Sequence, residues 1–250
     1  MPQNEPYNDE FYAKFSEGSV RSARAILPEV FNIVAPKSVA DLGCGTGAWL
    51  HVAKELGITH VRGFDGIHVN RAALLIADDE FVACELMSEP LLERLTSTYG
   101  RFELTLCLEV AEHLPAESAR SLINALANMS DVVLFSAAIP FQGGINHINE
   151  QWPEYWALQF ESLGYICCDC LRERFWANPA VEWWYAQNIL LFIHERCVSA
   201  RRIPLPQSGR GRPLSMVHPL NYICRATAAP LPQMQRFATL SGAWLAPRID

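Results

Sequence analysis

The sequence predicts an α/β protein with a mostly parallel, seven-stranded sheet and helices on both faces. Three observations lead to this class. Short apolar runs alternate with amphipathic helical stretches as far as about residue 195, which is typical of βαβ units. A glycine-rich turn follows the first apolar run, at the point where open α/β sheets bind ligands. The last two runs have no clear helix between them, which predicts an antiparallel pair.

The first elements follow from the spacing of apolar residues. Apolar positions recur at helical intervals over residues 8–35, which predicts a long first helix. Ser38–Leu42 is a short strand, and a helix is expected over Ala48–Leu56, where a glycine ends it. A second strand, HVRGFDG, ends at Asp65. The chain therefore begins with a helix, a strand, a glycine-rich turn, a helix and a second strand.

The remaining elements complete the sheet. Helices are expected over Leu114–Met129 and Trp152–Leu163, because both ranges show helical periodicity. Five more strands are expected in these apolar stretches: EFVACEL, FELTLCLEV, DVVLFSAAI, YICCDCLRERF and WWYAQNILLFIHE.

The composition excludes several classes of protein. Half of the 250 residues are hydrophobic, which allows a sizeable core, but no apolar run reaches the length of a membrane span. The N-terminus lacks a signal-peptide pattern, and the eight cysteines lack zinc-knuckle spacing, so we expect free thiols in a cytoplasmic protein. The net charge of −7 and the lack of a lysine-rich stripe argue against nonspecific nucleic-acid binding.

A ligand site is predicted where the first strand ends. There Asp41 is followed by Gly43, Gly45 and Gly47. The first two glycines allow backbone conformations that side chains forbid and let a ligand approach the main chain, and the third lets the next helix pack closely. The free N–H groups of that helix favour a carboxylate or phosphate. Asp65 ends the neighbouring strand, where it is placed to hold ribose hydroxyls, as adenosyl cofactors require.

The stretch VADLGCGTG resembles motif I of the class I S-adenosylmethionine (SAM)-dependent methyltransferases. The order of elements resembles the same Rossmann-like family, whose sheet has an antiparallel strand 7. The resemblance implies SAM as the cofactor, with Asp41 near its methionine portion and Asp65 on its ribose. It also implies an adenine contact at Glu85, where the family often has Asp. The predicted cofactor-binding residues are Asp41, Gly43, Gly45, Gly47, Asp65, Gly66, Glu85, Leu86 and Leu108.

A second constellation follows strand four, in CLEVAEHLP. Glu109, Glu112 and His113 are spaced i, i+3 and i+4, so that on a helix they share one face. The segment resembles one that small-RNA 2′-O-methyltransferases and ubiquinone-pathway O-methyltransferases use to bind a metal. Oxygen ligands favour Mg²⁺ or Mn²⁺, and His147 is the candidate fourth ligand. Metal-free relatives keep the same segment to shape the cofactor pocket, so both interpretations stay open.

A third constellation lies in the loop after strand five, GGINHINEQWPEYW. The loop overlooks the carboxyl edge of the sheet, where the resemblance implies the reactive methyl group. His147 is the first candidate for a general base, because an acceptor hydroxyl loses its proton as it attacks and an imidazole titrates near the working pH. His113 is the second candidate.

Three parts of the chain are distinguished by composition. Residues 1–35 are expected to form a helical lid over the cofactor, and residues 36–198 the methyltransferase domain. Residues 199–250, rich in proline and arginine, are expected to form a C-terminal extension that covers the pocket, mediates a homodimer or is partly loose.

The sequence therefore predicts a methyltransferase that transfers a methyl group in line to an oxygen of a small molecule, a saccharide or specialised metabolite. Three alternatives remain. A metal-dependent RNA 2′-O-methyltransferase would use the four candidate ligands. An NAD(P)-dependent reductase would share the sheet, but the glycine spacing differs and a Tyr-x-x-x-Lys pair is missing. A non-catalytic binding protein would keep the fold alone.

Overall fold

A computed structural model describes residues 9–86, 95–201 and 213–227. Within these residues the strands form one sheet in the order β3-β2-β1-β4-β5-β7-β6. Strand β7 is antiparallel to β5 and β6, and the other neighbouring pairs are parallel, which confirms the predicted sheet. The strands are β1 (Ser38–Leu42), β2 (His60–Asp65), β3 (Phe81–Ala83), β4 (Leu104–Leu108), β5 (Val132–Ser136), β6 (Tyr165–Cys168) and β7 (Leu190–His194).

Helices lie on both faces of the sheet. They are α1 (Asp9–Val34), α2 (Ala48–Glu55), α3 (Ala119–Met129), α4 (Pro153–Glu161), α5 (Arg172–Phe175), α6 (Trp183–Asn188), α7 (Glu195–Arg201) and α8 (Pro219–Thr227). Residues 95–99 are also helical. Not one of the described helices is long and apolar enough to span a membrane.

Two apolar clusters cover the two faces because successive strand residues point to opposite sides. In β1, Val39 packs with α1 and α2, whereas Ala40 and Leu42 pack with α3 and α4. The cysteines form no disulfide, and most are buried, where they behave as small apolar residues.

Helix α1 is built into the first cluster. Its fully buried face is formed by Ala23, Ile26, Leu27 and Val30. Residues 1–8 of the predicted lid lie outside the described residues. Ser16 and Ser19 of α1 line the large cavity described below. The division of the chain into three parts stays a prediction.

Three predicted elements are wrong in their bounds or type. The helix expected from Leu114 begins only at Ala119, because Pro115 lacks an N–H and the preceding turns are short 3₁₀ segments. The strand that begins at Tyr165 ends at Cys168, and α5 follows. There the buried Arg172 side chain pairs with Asp169 and donates to the carbonyl of Leu214. Tertiary contacts thus stop this strand early.

The stretch WWYAQN is also not a strand. It forms helix α6, whereas the sequence predicted that Trp183 and Trp184 begin the last strand. The buried Tyr185 of α6 packs edge-on against Trp49, and the hydroxyl of Tyr185 accepts a hydrogen bond from the Trp49 indole at 3.4 Å. Contacts with residues distant in the chain therefore fix this short helix.

Candidate active site

The carboxyl ends of strands β1, β2 and β4 open into a cavity of about 980 Å³. The glycine loop after β1 lines it, as do the loop after β5 and parts of α1 and α6. Eight of the nine predicted cofactor-binding residues line this cavity; Gly47 does not. The eight are Asp41, Gly43, Gly45, Asp65, Gly66, Glu85, Leu86 and Leu108.

The glycine loop offers open main chain to this cavity. Gly45 has φ +53°, and no atom lies within 4 Å of the position that a Cβ would take. A Cβ at Gly43 would lie 2.3 Å from the side chain of Val110. Val110 therefore packs against the main chain at Gly43 and occupies the space on that side. Gly47 also serves packing, because its Cβ would lie 2.9 Å from Ile76. The open surface of the loop is therefore at Gly45.

Asp65 anchors the glycine loop to strand β2. One carboxylate oxygen accepts a hydrogen bond of 2.6 Å from the N–H of Gly45, and the other accepts one of 2.6 Å from the N–H of Gly66. Burial raises the pKa of Asp65, and the two N–H groups oppose this rise. Burial and repulsion by Asp65 raise the pKa of Asp41 to about 7. A cation bound between these carboxyl groups would stabilise their ionised forms.

His113 and His147 lie together at the β4 and β5 end of the cavity. Their ring centroids are 4.8 Å apart and the rings are nearly perpendicular. Nδ1 of His147 lies 3.0 Å from a carboxylate oxygen of Glu150. Burial and then the neighbouring His147 lower the pKa of His113 to about 4, so His113 is neutral at physiological pH.

The loop that carries His147 is fastened to the turn after β4. The carbonyl oxygen of Glu112 accepts hydrogen bonds from the N–H groups of Ile148, at 2.9 Å, and Asn149, at 3.0 Å. The side-chain amide of Asn149 donates to the carbonyl of Ala111 at 3.4 Å. These bonds fix the backbone next to His147 and explain why its ring meets His113.

Glu112 has a fully buried carboxyl group. Neither of its oxygens has a hydrogen-bond partner of good geometry, although the N–H groups of Glu112 and Ala138 lie close enough to favour ionisation. Burial and then repulsion by Glu109 raise its pKa well above the usual range. Ligand atoms of Glu112, His113 and His147 all lie within 4.8 Å of one another. These three residues form a donor set of the kind that holds a divalent cation.

Glu109, the remaining predicted ligand, lies outside that three-residue group. The expected shared helical face is wrong, because Glu109 has φ +55° and only residues 111–113 form a 3₁₀ turn. Its carboxylate accepts hydrogen bonds of 3.2 Å from the side-chain amides of Gln142 and Asn188. Burial raises the pKa of Glu109 to about 6, and these donors oppose the rise.

A buried amide network connects Glu109 to the C-terminal segment. The amide nitrogen of Gln187 donates to the side-chain oxygens of Gln142 and Asn188, both at 2.9 Å. The oxygen of Gln187 accepts from the N–H of His218 at 2.8 Å and from the side chain of Asn221 at 3.2 Å. Sequence reasoning missed this network, because amides from distant segments carry no local signal. It also missed the support that Glu150 gives His147, although a carboxylate three residues after a histidine was a visible cue.

Solved structures of methyltransferases resemble this one. A SAM-dependent methyltransferase from Archaeoglobus fulgidus is 20% identical with a TM-score of 0.50, over 63% of this chain and 73% of that chain. An O-methyltransferase family protein from Burkholderia thailandensis is 14% identical with a TM-score of 0.52, over 74% of this chain and 57% of that chain. Magnesium protoporphyrin IX methyltransferase from Synechocystis, solved with bound SAM, is 18% identical with a TM-score of 0.51, over 77% and 86%.

No family model and no curated protein matches the sequence. The resemblance is therefore one of fold. The chain has the fold of the class I SAM-dependent methyltransferases, with the sheet order and the antiparallel β7 described above.

Proposed function

We propose that the protein is a SAM-dependent methyltransferase that methylates an oxygen atom of a small-molecule acceptor. One observation carries this proposal: the loop held by Asp65 lines the same cavity as His147, whose ring pairs with Glu150. Three solved proteins of this fold are methyltransferases, one solved with SAM bound and one from an O-methyltransferase family, and they support the proposal.

The residues at the glycine loop fit an adenosyl cofactor. The main chain at Gly45 is open to the cavity, and the carboxyl groups of Asp41 and Asp65 suit a ligand that carries positive charge and hydroxyl groups. When bound, SAM supplies an activated methyl group. The chain's own contribution is to hold the acceptor oxygen in line and to exclude water.

His147 is the residue that we propose to take the acceptor's proton. Glu150 engages Nδ1 of His147, which leaves Nε2 as the ring nitrogen free to accept a proton. The carboxylate also stabilises the imidazolium that forms, as in other carboxylate–histidine pairs. In this proposal Glu112 is protonated, in agreement with its raised pKa.

Calorimetry and a methyl-transfer assay test the proposal. We expect SAM and S-adenosylhomocysteine to bind and NADH not to bind, and we expect methyl transfer to members of a panel of hydroxyl-bearing small molecules. His147→Ala is expected to lower turnover by about 10²-fold or more without changing the affinity for S-adenosylhomocysteine. A folded protein that binds neither adenosyl compound would overturn the proposal.

A metal-assisted O-methyltransferase is the second candidate function. The fully buried carboxyl group of Glu112 favours it, because it lacks well-formed hydrogen bonds and lies close to His113 and His147. Glu112, His113 and His147 would hold Mg²⁺ or Mn²⁺, which would polarise the acceptor hydroxyl. Such chemistry also suits an RNA 2′-hydroxyl, but the net charge of −7 disfavours a nucleic-acid partner.

We further propose a cytoplasmic location. The eight free cysteines support it, since the cytoplasm keeps thiols reduced.

A further inference from the structure

The backbone at Phe141 is strained, and its side chain is exposed. Phe141 has φ +66°, which is unfavourable for a bulky residue, and 85% of its surface is accessible. The next residue, Gln142, is buried in the amide network beside Glu109 and holds the backbone in place. Strain that the surrounding structure enforces tends to occur at sites that bind ligands.

A guanidinium group lies beside the same short segment. Both terminal nitrogens of Arg225, on helix α8, lie 2.8 Å from the position that a Cβ would take at Gly143. Gly143 lines the cavity. Among the residues that the structure describes, no carboxylate lies within ion-pair distance of Arg225.

Exposed apolar side chains lie on the two segments that meet at this cation. Tyr222 lies three residues before Arg225 on α8 and is therefore on the same helical face, with 67% of its surface exposed. Ile145 lines the cavity and is 43% exposed. We call Phe141, Ile145, Tyr222 and Arg225 the acceptor rim.

The charge inside the cavity contrasts with the acceptor rim. The lining residues in the described part of the chain include five carboxyl groups and no lysine or arginine. Away from the glycine loop, the ionised carboxylates of the lining would therefore repel an anionic group on a ligand, and Arg225 would attract it. One guanidinium balances one negative charge, which suits a carboxylate better than a phosphate monoester dianion.

We propose that the methyl acceptor is a hydroxyl compound with a ring-sized apolar body and a carboxylate, in which Arg225 binds the carboxylate and Phe141 and Ile145 contact the body. This inference rests on the proposed function and names the class of its acceptor. It disfavours an uncharged saccharide, which would leave both the cation and the apolar surface of the rim unmatched.

Three isosteric probes test the inference: 3,4-dihydroxybenzoate, its neutral amide 3,4-dihydroxybenzamide, and the cationic 3,4-dihydroxybenzylamine. Each is titrated by calorimetry into the full chain saturated with S-adenosylhomocysteine. We expect the benzoate to bind about fivefold more tightly than the amide, as one partly exposed ion pair would give, and the amine to bind most weakly. Arg225→Gln should remove the preference for the benzoate, and Arg225→Lys should restore part of it.

The controls separate the rim from the cofactor site. Arg120 of α3 is exposed like Arg225, and it does not line the cavity. Arg120→Gln should therefore leave the preference for the benzoate over the amide unchanged. Phe141→Ser should weaken all three probes alike. Equal binding of benzoate and amide, an unchanged preference in Arg225→Gln, or no binding of any probe would overturn the inference. If S-adenosylhomocysteine still binds in these cases, only the inference about the acceptor is overturned. If S-adenosylhomocysteine does not bind either, the proposed function is overturned as well.

Discussion

One carboxylate oxygen of Glu150 contacts both Nδ1 of His147, at 3.0 Å, and the N–H of Gly143, at 2.5 Å. The same atom thus orients the imidazole and closes the loop on which the imidazole sits. With a carboxylate at Nδ1, the neutral ring carries its proton on that nitrogen and presents a basic Nε2. Glu150 is therefore a positioning residue for His147.

Replacing Glu150 by Gln tests this role. The amide still accepts a hydrogen bond but no longer stabilises a charged ring, so turnover should fall by about 10- to 100-fold. The substitution removes the negative charge and keeps the geometry, so the imidazolium loses its stabilising partner. We therefore expect the limb of the pH–rate profile that reports the base to move to lower pH.

The matched control for this variant is Glu161→Gln, an exposed substitution at the end of α4. It should change neither turnover nor the pH profile. A fall in turnover of Glu150→Gln with no shift of the profile would assign Glu150 a purely structural role.

Gly45→Ala and Gly57→Ala separate backbone strain from cofactor binding. Both glycines have positive φ, and no atom lies within 4 Å of either Cβ position. Each variant should lose about 1 kcal/mol of stability, measured by denaturant unfolding. Only the Cβ at Gly45 enters the cavity, so only that variant should lose affinity for S-adenosylhomocysteine, by about tenfold or more. Equal affinities in the two variants would contradict the assignment of the glycine loop.

The contribution of Asp41 and Glu109 to the stability of the ligand-free protein should fall as pH rises from about 4 to 7. The pKa of Asp41 is raised to about 7 and that of Glu109 to about 6, whereas in the unfolded chain both lie near 4. The folded protein therefore keeps protons that the unfolded chain releases. The stabilisation is complete below about pH 4 and is lost as pH rises through the folded pKa values.

The expected slope is up to about 1.4 kcal/mol per pH unit for each group. Asp41→Asn should flatten the curve between pH 5 and 7 in denaturant unfolding, and the exposed Asp79→Asn should not. The same slope in Asp41→Asn as in the wild type would show that Asp41 ionises at its ordinary pH.

Glu112→Gln distinguishes the two candidate functions. If Glu112 is a neutral buried acid, an amide of the same shape should leave turnover within about twofold of wild type, and EDTA should have no effect. This is the outcome that the proposed function predicts. Loss of turnover in Glu112→Gln, together with loss in EDTA and recovery with Mn²⁺, would establish the metal-assisted alternative. Glu117→Gln, exposed on the following turn, is the control.

The sequence brought Asp41, the glycines and Asp65 to one predicted site, and most of them line one cavity, because their determinants are local. Strand β1 with Asp41, the glycine loop and helix α2 are consecutive in the sequence. Each of them has a characteristic type of residue. Asp65 was identified for the same reason, since it ends a short apolar strand.

The end of the cavity near His113 and His147 was predicted less completely because it is assembled from distant segments. Aromatic residues at Trp183 and Trp184 favoured a strand, but packing of Tyr185 on Trp49 stabilises a helix there. The left-handed backbone of Glu109 broke the helical spacing that the sequence implied. Neither effect leaves a trace in the local pattern.

The fully buried Gln187 has a practical consequence for anyone shortening this chain. A truncation after α7 would remove His218 and Asn221, both donors to the Gln187 oxygen, and would also remove Leu214, which accepts from the buried Arg172. Each orphaned group costs about 1–3 kcal/mol, enough to threaten a marginally stable domain. The shortest fragment expected to fold with an intact cavity thus extends at least to Asn221.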